Sequence, residues 1–195
     1  DVVVRQMPQS LTPLEIYQSP PLADILRGIN KFSNNIAARQ LYLTLGTGDA
    51  VIKNSPATLA KSDAAIQQWL AAKQLNFPEL VVENGSGLSR KEQISARHMG
   101  QLLLAAFNSP VMPEFMSSLP IAAVDGTLKN RFADTPVKGL AHMKTGALNN
   151  VRALAGYLLD KMGRRVVVVF FVNHDQAGQS RIAMDTLVQW VYSRQ

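Results

Sequence analysis

Three apolar segments follow one another towards the C-terminal end of the chain, and they constrain the fold more than any other feature of the sequence. They run from Ala141 to Leu148, from Val151 to Leu159 and from Val166 to Asn173. Asn149-Asn150 separates the first two segments and Lys161 to Gly163 the last two. Asn and Gly tolerate the positive φ angles of tight hairpin turns, so the pattern predicts an antiparallel meander.

Apolar residues at helical spacing predict helices on both sides of this meander. The predicted helices begin near Leu22, after Ser33-Asn34-Asn35, after Ser62 or Asp63, after Ser95, and near Ile182. The second, third and fourth are expected to end at Gly46, Leu75 and Phe107. Short strands are predicted at Val2 to Gln6 and at Val81. This order predicts a mixed α+β protein of the α/β class, in which helices cover an antiparallel sheet.

The composition indicates a globular protein and excludes several classes of function. Hydrophobic residues make up 47% of the chain. Its net charge is +6, but no five like-charged residues stand in a row, which argues against a nucleic-acid partner. The longest apolar run, Val166 to Val172, is far shorter than the ~20 residues of a membrane span. The chain has no cysteine, and its three histidines lack metal-ligand spacing, so we expect no metal and no cofactor.

A lysine, a hydroxyl residue and a glycine stand together on the first predicted strand, at Lys144-Thr145-Gly146. A lysine beside a hydroxyl group can bind a carboxylate, and a glycine lets a ligand lie against the strand. Taken alone, such a triplet is more often a solvated lysine at a sheet edge. Ser33-Asn34-Asn35 is equally ordinary by itself, because Ser and Asn commonly join helices.

The two triplets gain meaning together, because Ser-x-Asn precedes Lys-Thr-Gly by 111 residues, in the order found in serine-dependent penicillin-recognising enzymes. Residues 19–46, 81–103, 119–132 and 142–174 resemble the D-alanyl-D-alanine carboxypeptidase/endopeptidase family of low-molecular-mass penicillin-binding proteins, peptidase family S13. The resemblance runs from about Ser19 to the C-terminus. It implies a β-lactamase/transpeptidase-like fold of α-β-α layers, of which this chain would be the C-terminal portion only.

The resemblance implies catalytic roles for three residues. Ser33 would relay a proton between the lysine of the nucleophile motif and the leaving amine. Asn35 would hold that lysine and a carbonyl group of the substrate through its amide. Lys144 would supply positive charge near Ser33 and the terminal carboxylate of the peptide.

It also implies that the strand carrying Lys144 binds the substrate. Thr145 would hydrogen-bond the terminal carboxylate, Gly146 would leave room for the ligand, and the N–H of Ala147 would donate to the oxyanion. The implied partners are peptidoglycan stem peptides and β-lactams, in the periplasm or cell envelope. A signal peptide is then expected upstream of this chain.

The nucleophile motif of that family, Ser-x-x-Lys, is missing, because no serine of this chain has a lysine three positions later. Thr58 and Lys61 have the spacing, but they follow Ser33 and we interpret them as chance. In the family the serine lies near the mature N-terminus, before a long insertion. We therefore expect residues 1–18 to end that insertion and residues 19–195 to form the C-terminal part of the penicillin-binding domain, inactive alone.

Two other functions stay open at this point: a β-lactamase-like hydrolase, and a non-catalytic module that binds peptidoglycan or penicillin. In that family the helix with the nucleophile lies between the Ser33 region and the Lys144 strand, so its absence is expected to leave an apolar cleft lined by parts of both. Self-association across this face, or collapse of the Ser33 region into it, is expected to separate Ser33 from Lys144 or to block access between them.

Overall fold

The computed structural model describes residues 12, 14–48 and 56–194, and the strand predicted at Val2 to Gln6 lies outside them. In this part of the chain six α-helices and three strands follow the mixed α/β order that the sequence predicts. Their bounds are α1 Leu22–Phe32, α2 Asn35–Leu45, α3 Leu59–Ala72, α4 Ala96–Phe107, α5 Met112–Ser118, β1 Ala141–Leu148, β2 Val151–Leu159, β3 Arg165–Asn173 and α6 Arg181–Ser193. None of these helices has both the length and the hydrophobicity to cross a membrane.

The three strands form one antiparallel sheet in the order β1-β2-β3, which confirms the predicted meander. Asn150 has a φ of 63° in the first turn and Gly163 a φ of 77° in the second. These are left-handed conformations, which Asn and Gly adopt at lower cost than other residues. The turn residues therefore explain where each strand ends.

Helices cover both faces of the sheet and give the molecule α-β-α layers. On one face Met143 of β1 packs with Met184 and Val188 of α6, and all three are at most 2% exposed. On the other face the fully buried Tyr157 packs with Leu103 of α4 and donates its hydroxyl hydrogen to the Leu103 carbonyl at 2.6 Å. Burial raises the pKa of Tyr157 to about 12, because a phenolate there would lose its hydration.

The predicted start of the third helix was wrong. Helix α3 begins at Leu59, and its N-cap is Thr58. Ser62 is fully buried inside the helix and donates to the carbonyl oxygen of Thr58 at 3.2 Å. A serine can bond to a carbonyl of the preceding turn as well as cap a helix, so the residue type alone does not fix the start. The helix ends at Ala72, before the predicted Leu75.

Two short elements also differ from the sequence prediction. The region of Val81 forms only a single antiparallel bridge, with Gln93, in place of a strand. The seven-residue helix α5 was not predicted, because it spans only two turns and has a proline in its first turn. Such a short segment shows no helical periodicity.

Candidate active site

Ser33 stands at the junction of α1 and α2, as the sequence predicts. It ends α1 in a left-handed conformation with φ 53° and ψ 48°, and its N–H donates to the carbonyl of Ile29. Asn34 then caps the N-terminus of α2, and its Oδ1 accepts the N–H of Ala37 at 3.0 Å. The two caps turn the chain sharply, and the Ser33 residue between the two helices is half-buried.

Lys144 lies in the middle of β1, on the sheet face of its cross-strand partner Ala155, which packs with the Tyr157 cluster. Its Nζ donates to Ser33 Oγ at 2.5 Å and to the carbonyl oxygen of Thr145 at 3.0 Å. Burial lowers the pKa of the Lys144 amine below its usual value, because the charged form loses hydration. The structure therefore brings together residues that are 111 positions apart in the chain.

This contact shows that Ser33 is not separated from Lys144, so the first of the two expected outcomes was wrong. Helix α1 is anchored without any additional helix, through Lys31, which is only 7% exposed. Its Nζ lies 2.5 Å from Asp125 Oδ2 and donates to the carbonyl oxygen of Leu119 at 3.0 Å. The last turn of α1 is thus attached to the segment that precedes β1.

That segment is in turn bonded to β1. Asp125 Oδ1 accepts the N–H of Ile121 at 2.8 Å, which fixes the carboxylate. The N–H of Met143 donates to the carbonyl oxygen of Pro120 at 2.9 Å. Hydrogen bonds therefore run from Lys31, two residues before Ser33, to Met143, one residue before Lys144.

Gly126 allows α1 to approach this segment closely. It has a φ of +54°, and a Cβ at this position would lie 2.6 Å from the carbonyl oxygen of Lys31. Glycine alone combines this conformation with that contact distance. Nearby, Asn30 Nδ2 donates to Ser118 Oγ at 2.7 Å, which gives α1 a second attachment.

The outer edge of β1 is open beyond Met143. The N–H of Met143 and the carbonyl of Ala141 both bond to the segment before β1. The backbone groups of every second residue in a strand point to the same side, so the N–H and carbonyl groups of Thr145 and Ala147 also point to this outer edge. Within the described residues no strand pairs with Thr145 or Ala147 on this side. Thr145 Oγ1 donates to Thr127 Oγ1 at 2.9 Å, and Ala147 is exposed. This edge can accept an extended peptide.

The remaining two predicted site residues have other environments. Asn35 is exposed as the first residue of α2, and its amide makes no hydrogen bond within the described residues, so the structure does not join it to Ser33 and Lys144 directly. A Cβ at Gly146 would lie 3.2 Å from the Cβ of Ala153, so this glycine also serves the packing of the sheet.

The other candidates from the sequence lie elsewhere. The Thr58 side chain caps α3 by accepting the Lys61 N–H at 3.3 Å. His98 Nδ1 lies 2.6 Å from Glu79 Oε1, and hydrogen bonds from Ser95 and then His98 lower the pKa of that carboxyl to about 2. No group of three or more His, Cys, Asp or Glu among the described residues could hold a metal ion.

Sequence reasoning missed Lys31 and Asp125. A lysine on a helix is usually exposed, so residue type gave no sign that Lys31 is buried. The only available signal was its position, two residues before Ser33. Asp125 lies in an irregular segment where no periodicity indicates which way a side chain points.

Two curated relatives of this chain are named D-alanyl-D-alanine carboxypeptidases. The D-Ala-D-Ala carboxypeptidase 3 (S13) family pattern matches residues 1–193. D-alanyl-D-alanine carboxypeptidase DacB of Haemophilus influenzae is 29% identical over 193 residues, covering 97% of this chain and 40% of that protein. The D-alanyl-D-alanine carboxypeptidase of Actinomadura sp. strain R39 is 30% identical, covering 88% of this chain and 32% of that protein. The chain therefore spans well under half the length of these relatives.

Solved structures of a penicillin-binding protein have the same fold as this chain. Penicillin binding protein 4 (dacB) from Haemophilus influenzae, complexed with a β-lactam, superposes with a TM-score of 0.80 at 25% identity, over 94% of this chain and 46% of that one. A second crystal structure of that protein gives 0.78 at 26% identity, over 89% and 40%. The fold is thus that of penicillin-binding proteins, and the chain belongs to the D-Ala-D-Ala carboxypeptidase 3 (S13) family.

Proposed function

We propose that this chain forms one half of the active site of a serine DD-peptidase. The enzyme cleaves D-Ala-D-Ala bonds and cross-link bonds of peptidoglycan peptides through an acyl-enzyme. The nucleophilic serine belongs to polypeptide outside these 195 residues. Residues 19–195 are then the C-terminal part of the penicillin-binding domain, and residues 1–18 lead into it. The contact of Lys144 Nζ with Ser33 Oγ at 2.5 Å, beside an open strand edge, carries this proposal.

The direction of this hydrogen bond suits a proton relay. Lys144 donates to Ser33 Oγ, so the hydroxyl hydrogen of Ser33 is free to be donated to another group. In the reaction that group is the leaving amine, and Ser33 regains a proton from the lysine of the nucleophile motif. The positive charge of Lys144 also favours the anionic transition state.

The open edge of β1 binds the substrate in this account. An extended peptide adds to the edge as a further strand, and Thr145 Oγ1 exchanges its bond to Thr127 for one to the terminal carboxylate. The N–H of Ala147 faces the same side and donates to the developing oxyanion. The Asn35 amide bonds to the substrate and to the lysine of the nucleophile motif, which both belong to the complete site.

The names of the relatives support the substrate class. They describe D-alanyl-D-alanine carboxypeptidases, a penicillin-sensitive carboxypeptidase of Dictyostelium discoideum, and a complex with a β-lactam. We therefore assign stem peptides and β-lactams as ligands of the complete site. Peptidoglycan lies outside the cytoplasmic membrane, so the periplasm or cell envelope is the proposed location.

A second function has one observation in its favour. No serine in the sequence has a lysine three positions later, which also fits a module that binds peptidoglycan or penicillin without cleaving it. Such a module would retain the β1 edge and Lys144 but would form no acyl-enzyme.

Hydrolysis of an N-acetylated D-Ala-D-Ala peptide by the full-length protein that contains this chain tests the proposal. Lys144→Met should lower kcat/KM by about 10²-fold or more, because it removes a charge that faces the transition state. Thr145→Ala should have a milder effect, because water can partly replace one hydrogen bond to the carboxylate.

The matched control is Lys138→Met, which alters an exposed lysine away from the site and should leave the rate unchanged. Equal rates for wild type and the Lys144 variant would exclude Lys144 from the mechanism. Binding of the peptide without any hydrolysis would favour the non-catalytic module.

A further inference from the structure

A cavity of about 480 Å³ opens beside Thr145, and the proposed mechanism makes no use of most of it. Its walls come from residues 126, 127 and 129–131, the outer part of β1, the start of β2, Gly178 and the first turn of α6. Four residues of the lining are basic and none is acidic: Lys129, Arg131, Arg152 and Arg181. A cavity lined by charges of one sign attracts ions of the other sign.

The protein neutralises only part of this charge. Arg131 is 10% exposed, and its Nε donates to Asp185 Oδ1 at 2.5 Å. Arg181 is 63% exposed and lies 3.9 Å from the same carboxylate group. Lys129 and Arg152 have no carboxylate partner within the described residues. Asp185 therefore offsets at most one of the four charges, and the cavity keeps a positive surplus.

Arg152 is already held in place for an anion. Its Nη1 donates to the carbonyl oxygens of Leu148 and Val151 at 2.7 and 2.8 Å, which anchors the guanidinium at the β1–β2 turn. Its Nη2 makes no hydrogen bond within the described residues and faces Gly178, where a Cβ would lie 3.8 Å away. A fixed guanidinium loses little side-chain entropy when it binds a carboxylate.

We infer that this cavity binds a second carboxylate, carried by the residue that the reaction releases, with Arg152 as the main ligand. The inference rests on the proposed function, in which Thr145 holds the terminal carboxylate at the mouth of the cavity. The side chain of that terminal residue branches from the carbon next to the carboxylate and therefore lies at the same mouth. The methyl group of D-alanine leaves most of the cavity unfilled, whereas a side chain ending in a carboxylate reaches the basic wall.

Binding of three peptides to the full-length protein that contains this chain, with its nucleophilic serine replaced by alanine to prevent turnover, tests the inference by ligand-observed NMR titration. The probes are N-acetyl-D-Ala-D-Glu, its neutral isostere N-acetyl-D-Ala-D-Gln, and N-acetyl-D-Ala-D-Ala. We expect the D-Glu peptide to bind about tenfold more tightly than the D-Gln peptide, since a hydrogen bond between charged groups is worth about this factor. The preference should weaken as salt is added.

Two variants locate the effect. Arg152→Met should bring the ratio of the two dissociation constants close to one, and Lys129→Met should reduce it while changing only an exposed side chain. The control Lys138→Met should leave the ratio as in wild type. Equal affinity of the wild type for the D-Glu and D-Gln peptides would overturn the inference, as would an undiminished preference in both variants. Failure of all three peptides to bind would instead contradict the proposed function itself.

Discussion

At the scale of single residues, Lys144 combines two properties that conflict in most lysines. It is half-buried, so the environment disfavours its charge, and yet its amine is used to donate to Ser33 and to the Thr145 carbonyl. Folding therefore carries a cost at Lys144 that a purely structural side chain would not impose. Such costs are common where a residue serves a reaction.

This cost predicts how stability depends on pH. Burial lowers the pKa of Lys144 in the folded chain below 10.5, so the unfolded chain binds the proton more tightly. The cost is fully present below the folded pKa and is relieved as the pH rises from that value towards 10.5. Lys144→Met should therefore be more stable relative to wild type at pH 7 than at pH 10, as urea unfolding at both pH values will show. A difference between the two proteins that does not change with pH would contradict the burial argument.

At the scale of elements, the site depends on the attachment of α1 to the segment before β1. Lys31 and Asp125 form this attachment, and the lysine side chain is 9% exposed. Lys31→Met removes the cation that pairs with Asp125, whose side chain is 33% exposed, and should lower the free energy of unfolding by about 2 kcal/mol, between the values for surface and buried pairs. Urea unfolding measures this change.

The chain offers a matched control on the same helix. Arg27 pairs with Asp24 at 2.8 Å, but both side chains are about half exposed. Arg27→Ala should cost no more than about 1 kcal/mol, as for other surface pairs. If the two substitutions cost the same, Lys31 is not the anchor of α1.

Packing of β1 on β2 makes a second prediction at this scale. A Cβ at Gly156 would lie 2.2 Å from the carbonyl oxygen of His142, inside the β1–β2 pair. Gly156→Ala should therefore destabilise the fold by about 1–3 kcal/mol, as overpacking does elsewhere. Gly100→Ala, in α4 with nothing within 4 Å, should instead add about 0.5–1 kcal/mol through helix propensity. Thermal unfolding of both variants checks the pair, and a stable Gly156→Ala protein would contradict the register.

An element could be predicted from the sequence where the residues that determine it are its neighbours in the chain. The meander was predictable because its turn residues, Asn150 and Gly163, lie in the sequence directly between the strands that they connect. The start of α3 was not, because Thr58, Ser62 and Asp63 all qualify as caps and only burial separates them. Family resemblance assigned Ser33 and Lys144 to one site, but their contact within this chain was not predicted, because its cause, the buried Lys31, is a tertiary contact that no local pattern indicates.

At the scale of the whole molecule, a large apolar cavity remains. It measures about 1050 Å³ and is lined by residues of α3, α4 and the sheet, among them Trp69, which is 44% exposed. This cavity is not the apolar cleft that the missing helix was expected to leave, because neither Ser33–Asn35 nor Lys144–Gly146 lines it. That cleft, and self-association of the isolated chain across it, stay predictions, and sedimentation at several concentrations can test the second.

The central claim is that these 195 residues hold the relay and the carboxylate site, while the nucleophile comes from elsewhere. Labelling with a fluorescent penicillin, followed by peptide mapping, tests it most directly. The account predicts that the full-length protein is labelled on a serine outside residues 1–195 and that the isolated chain is not labelled at all. An adduct on any residue of this chain, or stoichiometric labelling of the chain alone, would contradict it.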